Sequence, residues 1–161
     1  MLIQLRDLTE ADLEALYQFQ DDPVANQMAD FPARDRDSFF EHWRTNVLGR
    51  EDVFAQGIIA DDVLVGSVLL WSMNATSAHP DWFLGYWLGR EFWGKGIASQ
   101  AVSMFVKSHS KRPIIAEVAS QNKGSICILE KLGFEHCGAV EESEHFSQNS
   151  QNPLLEMKLS N

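Results

Sequence analysis

Residues 84–98 constrain the fold of this 161-residue chain more than any other segment. An apolar stretch typical of a β-strand ends at Gly89, and the turn Trp93-Gly-Lys-Gly-Ile-Ala98 follows before a helical pattern begins. Glycines let the backbone approach a ligand closely, and the first amides of a helix have no partner within the helix. A strand, a glycine turn and a helix start in this order therefore predict a site for the phosphates of a cofactor.

Periodicity and turn residues predict the element order β-α-α-β-β-β-α-β-α-β-β. The expected strands are residues 2–8, 53–60, 63–71, 82–88, 114–119, 134–142 and 154–159, and the expected helices begin after Thr9, cover 38–48, 95–109 and 123–132, with a short helix between 23 and 32 left open. Strand–helix–strand units imply one parallel pair, and hairpins imply antiparallel pairs. We therefore expect one domain over residues 1–161, of the α/β (α+β) class: a mixed, mostly antiparallel sheet of about seven strands flanked by about four helices.

The composition narrows the classes of partner. A net charge of −10 argues against nucleic-acid binding and favours a cationic or amine partner, although a role in solubility explains the acidity equally well. No apolar run approaches the roughly 20 residues of a membrane-spanning helix, and the first residues do not resemble a signal peptide. Cys127, which we expect in the core, and Cys137 show neither metal nor disulfide spacing. These features predict a cytoplasmic protein with no membrane partner and no metal site.

A second motif, Asn122-Lys-Gly-Ser-Ile-Cys-Ile-Leu-Glu-Lys-Leu-Gly-Phe134, follows the glycine turn after an intervening helix and strand. Together the two motifs resemble the GNAT superfamily of acetyl-CoA-dependent N-acetyltransferases, and the match covers nearly the whole chain. The glycine turn is similar to the acyl-CoA loop of that family, which usually opens with Gln or Arg where this chain has Trp93. The segment Gly85-Tyr-Trp-Leu…Phe92-Trp-Gly-Lys-Gly is similar to the branch that includes ribosomal-protein N-terminal (alanine) acetyltransferases.

The resemblance implies that the fourth and fifth strands splay apart and that the pantetheine arm of acetyl-CoA lies between them. It also implies the residues that contact the cofactor, which are Trp87, Leu88, Trp93, Gly94, Lys95, Gly96, Ile97, Ala98, Asn122 and Ser125. Backbone amides near Trp87 and Leu88 would contact the thioester carbonyl. Gly85 marks either a bulge in the fourth strand or a position that makes room for a neighbouring aromatic ring.

Ser125 is the candidate donor of a proton to the departing thiolate, because the branch places a serine there. The alternative is that Ser125 only caps the helix, although Asn122 is the better cap. Many members of the family carry a tyrosine in this helix as the general acid, but the corresponding residue here is Leu129. We therefore expect Ser125 or water to serve in its place.

The general base is less clearly marked. Glu117 interrupts the apolar run 114–119, which suggests a functional carboxylate, although an ion pair or an exposed strand face explains it as well. Asp81 and His79 precede the fourth strand, where they either approach an incoming amine or belong to an ordinary loop. An ordered water could also relay the proton.

These features favour transfer of an acetyl group from acetyl-CoA to a primary amine by direct attack in a ternary complex. The acceptor could be a protein N-terminus, an amino-acid-like metabolite, a polyamine or an amine antibiotic, and Phe31, Phe39 or Trp43 would line its pocket. The alternative is a non-catalytic acyl-CoA-binding module. A dinucleotide-binding protein is disfavoured because Ser99 interrupts the Gly-x-Gly-x-x-Gly pattern. The resemblance also suggests a homodimer, since the last strands of relatives often pair between subunits.

Overall fold

Seven strands form one mixed sheet in the computed structural model, which describes residues 1–140 and 153–161. The strands are β1 (Ile3–Asp7), β2 (Phe54–Ala60), β3 (Val63–Trp71), β4 (Trp82–Leu88), β5 (Ile114–Ala119), β6 (Glu135–Val140) and β7 (Leu154–Leu159). Their order across the sheet is β1-β2-β3-β4-β5-β7-β6, and β4 and β5 are parallel while the other neighbours are antiparallel. The predicted mixed, mostly antiparallel sheet is confirmed.

The described residues form five α-helices, one more than the sequence predicted. They are α1 (Leu13–Gln20), α2 (Pro23–Ala29), α3 (Arg36–His42), α4 (Ile97–Ser108) and α5 (Lys123–Lys131). The added helix is α2. It begins at Pro23, and the side chain of Asp22 caps it by accepting a hydrogen bond from Val24 N–H. The helix predicted over 38–48 is α3 followed by a turn of π-helix at Trp43–Leu48.

The strand boundaries follow the sequence closely in the middle of the chain. The predictions for 63–71, 82–88, 114–119 and 154–159 match β3, β4, β5 and β7. The strand predicted over 134–142 is β6, although positions 141 and 142 lie outside the described residues. Their apolar patterns explain this agreement, because alternation marks a strand buried on one face and a continuous apolar run marks one buried on both.

Two apolar clusters lie on opposite faces of the sheet. On one face, α4 and α5 pack Phe105, Val102 and Leu129 against the even-numbered residues of β4, such as Leu84. On the other face, α1 and α3 form a smaller cluster that includes Leu13 and Phe39. The helices therefore cover both faces of β4 and hold it in place along its length.

The ladder between β4 and β5 is short. It contains the pairs Trp82–Ile114 and Phe83–Ile115, after which the two strands diverge. Beyond that point β5 pairs with β7 as far as Ala119, while β4 pairs with β3 as far as Leu88. The splayed fourth and fifth strands that the sequence suggested are present.

Two details at the surface of the fold bear on earlier expectations. Cys127 is exposed, so the prediction that it belongs to the core is wrong. The reason is the phase of α5, which turns Ile126 and Leu129 inward and leaves the residue between them facing outward. Within the described residues, no helix is long and apolar enough to cross a membrane.

A partly buried ion pair fixes the start of the first helical segment. Thr9 N–H donates to Oδ2 of Asp12 at 2.9 Å, and the Arg6 guanidinium donates to both carboxylate oxygens of Asp12 at 2.8 and 2.9 Å. Asp12 is 8% exposed. Its hydrogen bonds with Arg6 lower the pKa of this carboxyl.

We predict that Asp12→Asn lowers the free energy of unfolding at pH 7 by about 1–2 kcal/mol, because a charged hydrogen-bonding partner is lost. The folded-state pKa of Asp12 lies below its unfolded value of about 3.9, so its stabilisation is complete above that value and is lost as the pH falls through the folded pKa. Urea unfolding at pH 7 and in acid should show the difference from wild type shrinking in acid. The matched control is Glu14→Gln, which removes an exposed pair with Arg36 and should have a smaller effect. An equal loss in both variants would contradict the prediction.

Candidate functional site

The divergence of β4 and β5 opens a cavity of about 460 Å³ that passes through the sheet. Its lining comes from both faces: Phe31, Phe39 and Trp43 lie on the side of α1 and α3, and Asn122, Ser125 and Leu129 lie at α5. The three aromatic residues that the sequence analysis proposed as acceptor wall are thus part of one cavity with the second motif. Two ligands that enter from opposite faces would meet between the strands.

The backbone of β4 presents hydrogen-bonding groups to this cavity. Gly89 N–H donates to the carbonyl of Val65 on β3 at 2.9 Å. Because antiparallel pairs alternate, the amide of Trp87 also faces β3, while the amides of Tyr86 and Leu88 face the other side. The amide of Trp82 points in the same direction as the amides of Tyr86 and Leu88. It donates to the carbonyl of Pro113, the residue before β5, at 3.3 Å. Amides near Trp87 and Leu88 were expected to contact the thioester carbonyl. The amide of Leu88 faces the cleft, whereas the amide of Trp87 faces β3 and only its side chain lines the cavity.

Gly85 does not mark a bulge. The register between β3 and β4 is uninterrupted from Gly66–Leu88 to Trp71–Phe83, so that expectation is wrong. The alternative is what the structure shows, because a Cβ at Gly85 would lie 2.9 Å from Cζ3 of Trp71. The absence of a side chain at this position leaves room for an aromatic ring that lines the cavity.

The glycine turn leaves a row of amides without partners. Gly94 and Gly96 have φ values of 76° and 78°, and α4 begins after Gly96 without a side-chain cap. The first bond of the helix runs from Gln100 N–H to the carbonyl of Gly96, so the amides of Ile97 and Ala98 have no acceptor within the described part of the chain. Lys95 extends from the same turn, with Nζ 5.9 Å from the ring centroid of Phe92. This arrangement can bind an anion.

Trp93 has a different position from the other residues of the turn. Its backbone N–H donates to Arg90 at 3.1 Å, and its indole Nε1 donates to the carbonyl of Leu88 at 3.0 Å. Both bonds attach the turn to the end of β4. Trp93 therefore positions the anion-binding amides, and its side chain is 37% exposed.

The second motif places a hydroxyl at the cavity. Asn122 Oδ1 accepts a hydrogen bond from Ser125 N–H at 3.3 Å, so Asn122 caps α5 as expected. The Ser125 hydroxyl is thereby left for another interaction, and it forms a short hydrogen bond with the hydroxyl of Tyr86 on β4. Leu129, 1% exposed, lines the cavity one turn further along the helix.

Tyr86 is the residue that the sequence analysis missed. The second motif has Leu129 at the position where a tyrosine would act as the general acid, so the sequence predicted that Ser125 or water takes that role. The structure supplies a phenol from the neighbouring strand, and burial raises the pKa of Tyr86 to about 12 while its bond with Ser125 acts in the opposite direction. The phenol is therefore protonated at neutral pH and able to donate. Strand alternation could have indicated it, since Tyr86 shares the face of Leu84 and Leu88 toward α4 and α5.

The proposed bases are not brought together. Glu117 lines the cavity from β5 on the same face as Phe83, and its partner in the ladder with β7 is Glu156. Both carboxylates therefore leave one face of the sheet. Asp81 lies at the opposite, paired end of β4, where its amide donates to Asn74 Oδ1 at 3.0 Å, and neither it nor His79 lines the cavity.

The known proteins that this chain resembles are acetyltransferases. The family model described as "Acetyltransferase (GNAT) domain" matches residues 3–135. The protein named "Uncharacterized N-acetyltransferase p20" of Bacillus licheniformis is 28% identical in an alignment of 151 positions that covers 88% of this chain and 84% of that protein. The spermidine N-acetyltransferase of Vibrio cholerae, solved with CoA and spermine, has a TM-score of 0.80 at 18% identity and covers 98% of this chain and 95% of its own. RimL, a ribosomal L7/L12 α-N-protein acetyltransferase solved with CoA, has a TM-score of 0.78 at 17% identity, with 98% and 93% covered.

We predict that Tyr86 does not ionise below pH 11, because its pKa is raised to about 12. The chain contains two tyrosines, so Tyr17→Phe isolates the signal of Tyr86. Phenolate absorbance, recorded with circular dichroism to show that the protein is folded, should stay flat up to that pH. Removing the hydroxyl with Ser125→Ala in the same background should not lower the onset, because the bond to Ser125 favours ionisation. A phenolate step well below pH 11 in folded protein would contradict this assignment.

Proposed function

The chain belongs to the GNAT acetyltransferase family, and from that premise we propose that it transfers an acetyl group from acetyl-CoA to a primary amine. One observation carries the proposal. The turn before the uncapped start of α4 is bonded to the end of β4 through Trp93 Nε1 and the Leu88 carbonyl, and the unpaired edge of β4 borders the gap, so a diphosphate at the turn would direct an attached arm along β4 into the cavity. We treat residues 1–161 as the one domain that does this.

The residues present fit such a cofactor. Gly94 and Gly96 have no atoms within 4 Å of a built Cβ, so the turn leaves open space beside its free amides. The amides of residues 94–98 would hold the pyrophosphate, with Lys95 near its charge. The polar groups of β4 that face the gap would pair with the pantetheine arm as a neighbouring strand does. Acetyl-CoA, when bound, supplies the activated acetyl thioester.

Different groups around the gap would stabilise charge and transfer protons in the reaction. The amides of Tyr86 and Leu88 would donate to the thioester oxygen as charge develops on it. The Ser125 hydroxyl would give its proton to the departing sulfur and recover one from the Tyr86 phenol, to which it is bonded. The Glu117 carboxylate would take the proton that the amine loses, directly or through water. The amine nitrogen would bond to the acetyl carbon as the carbon–sulfur bond breaks. Glu117 would release the amine proton to solvent and the phenol would regain one from solvent, so the proton lost by the amine balances the one gained by the sulfur.

The alternative is a module that binds acyl-CoA without catalysis. The paired hydroxyls of Tyr86 and Ser125 and the carboxylate of Glu117 favour an enzyme, because binding alone requires none of them inside the cavity. Release of free thiol from acetyl-CoA, measured with a panel of amines that includes peptides beginning with Ala or Ser, polyamines and amino acids, distinguishes the two. Tight CoA binding without release from any amine would favour the module.

The proposed acceptor is defined by its primary amine. The neighbours named above act on a polyamine and on a ribosomal protein, and the Gly85–Gly96 segment resembles the ribosomal-protein branch. Each acceptor presents a primary amine, which the carboxylate of Glu117 and the overall charge of −10 would attract.

We predict that Gly96→Glu lowers CoA affinity by at least about tenfold, because the new carboxylate would face the pyrophosphate. Titration calorimetry measures this directly. The control is Gly138→Glu on β6, where φ is 103° and no atom lies within 4 Å of a built Cβ, so that backbone strain and added charge are matched away from the turn. Equal CoA affinity in the two folded variants would overturn the loop assignment.

We also predict that Ser125→Ala lowers kcat by about 10²-fold, the usual scale of a lost general acid, with little change in CoA affinity. Tyr86→Phe should lower kcat less, because Ser125 keeps its own proton. The measurements are steady-state turnover and CoA binding for each variant, with Ser108→Ala at the end of α4 as a control serine distant from the cavity lining. Wild-type turnover in Ser125→Ala would remove this residue from the chemistry.

A further inference from the structure

The acceptor side of the cavity contains two hydrogen-bond donors that have no acceptor among residues 1–140 and 153–161. They are the guanidinium of Arg34, in the segment between α2 and α3, and Nε2 of Gln20, the last residue of α1. Both residues line the cavity. The mechanism above uses neither of them.

Arg34 differs from most other arginines of the chain. A carboxylate lies within 4 Å of five of them, which are Arg6, Arg36, Arg44, Arg50 and Arg90. Arg34 has no such carboxylate within the described residues, although it is only partly exposed and burial lowers its pKa. Its Cζ lies 5.8 Å from the ring centroid of Phe31. A guanidinium stays charged under these conditions, so an anion bound beside it would offset its desolvation further than the Phe31 ring does.

Gln20 is more deeply buried and is held in place. It is 5% exposed, and its backbone carbonyl accepts hydrogen bonds from Asn26 Nδ2 at 3.0 Å and Asp22 N–H at 2.9 Å. The preceding carbonyl, of Phe19, accepts from the indole Nε1 of Trp87 on β4 at 3.0 Å. A buried amide nitrogen without an acceptor is uncommon in folded proteins, and here it borders a cavity large enough for a ligand.

Aromatic rings connect this region to the reacting strand. Phe31 lies between the two, with its ring centroid 6.0 Å from that of Trp87 and 5.8 Å from the Arg34 guanidinium carbon. Trp87 and Glu117 belong to the face of the sheet that α1 and α3 cover, opposite to the side on which Ser125 lies. The guanidinium is therefore on the acceptor side, and the cofactor phosphates would be bound by the start of α4.

We propose that the acceptor amine also carries a carboxylate, which the Arg34 guanidinium binds with a further hydrogen bond from the Gln20 amide. This inference rests on the proposed function and specifies its substrate class. A guanidinium matches a carboxylate with two parallel N–H···O bonds, and Glu117 provides the opposite charge for the amine. A polyamine would place a second cation near Arg34, and a peptide N-terminus would offer only a neutral carbonyl there. An amino acid whose amine and carboxylate are separated by the span between Glu117 and Arg34 would satisfy both groups.

The experiment compares acids with their amides. The probes are α-amino acids, β-alanine, 4-aminobutyrate and 5-aminovalerate, each paired with its carboxamide, with spermidine and an Ala-initiated peptide amide as further acceptors. We expect kcat/KM for thiol release to be at least about tenfold higher for the acid of the best pair than for its amide. A preference for the amides, the polyamine or the peptide would overturn the inference and leave the acetyltransferase proposal intact.

Variants then locate the source of the preference. Arg34→Gln should abolish the acid-over-amide ratio with little change for the amides, Arg34→Lys should retain part of it, and Gln20→Ala should reduce it less. The control is Arg36→Gln, which removes an exposed guanidinium paired with Glu14 outside the cavity and should keep the full ratio. CoA affinity should be unchanged in all four variants. A loss of CoA affinity in Arg34→Gln, with the ratio intact, would show that the guanidinium serves the cofactor.

Binding without turnover separates this inference from the proposed function. Quenching of tryptophan fluorescence by each acid and amide, in the presence of CoA, reports occupancy near Trp87. Tighter binding of the acids to wild type than to Arg34→Gln is expected even if no thiol is released, and such an outcome would remove only the proposed function. Equal binding of acids and amides would overturn the carboxylate site whatever the turnover.

Discussion

The separation of β4 from β5 after two residue pairs is the constraint on which the rest of the site depends. In a continuous sheet the amides of Tyr86 and Leu88 would face a neighbouring strand, and their polar groups would be satisfied within the protein. Here each strand continues with a different partner, β4 with β3 and β5 with β7. The gap therefore combines rigid walls with unpaired backbone groups, which is a suitable arrangement for an extended ligand that carries its own amides.

The two faces of the sheet contribute different chemistry to that gap. The face of α4 and α5 provides the anion-binding turn and the bonded hydroxyls of Tyr86 and Ser125. The opposite face provides aromatic rings, the Glu117 carboxylate and the Arg34 guanidinium. Odd and even positions of a single strand therefore face the two reactants, because successive side chains of a strand alternate between faces. This geometry supports the proposed direct transfer between two ligands.

Much of this arrangement could be predicted from the sequence, and the parts that could not have identifiable causes. Strands such as 82–88 were predictable because apolar residues and glycine boundaries are local signals, and the uncapped glycine turn is a local signal too. The contact between Tyr86 and Ser125 joins residues 39 positions apart, and only the packing of α5 against β4 creates it. The role of Gly85 likewise depended on the position of Trp71 on the next strand. Arg34 carried no motif, and only the structure shows that none of the described carboxylates pairs with it.

The short seam between β4 and β5 also has a mechanical consequence. Strands β1 to β4 form one group and β5 to β7 another, and the backbone ladder joins the groups through two residue pairs at one end. An extended molecule that paired with β4 in the gap would add rungs where the polypeptide has none. The hydrogen bonds that bind such a molecule would then also hold the two half-sheets together. The ligand would stabilise the fold while it is bound.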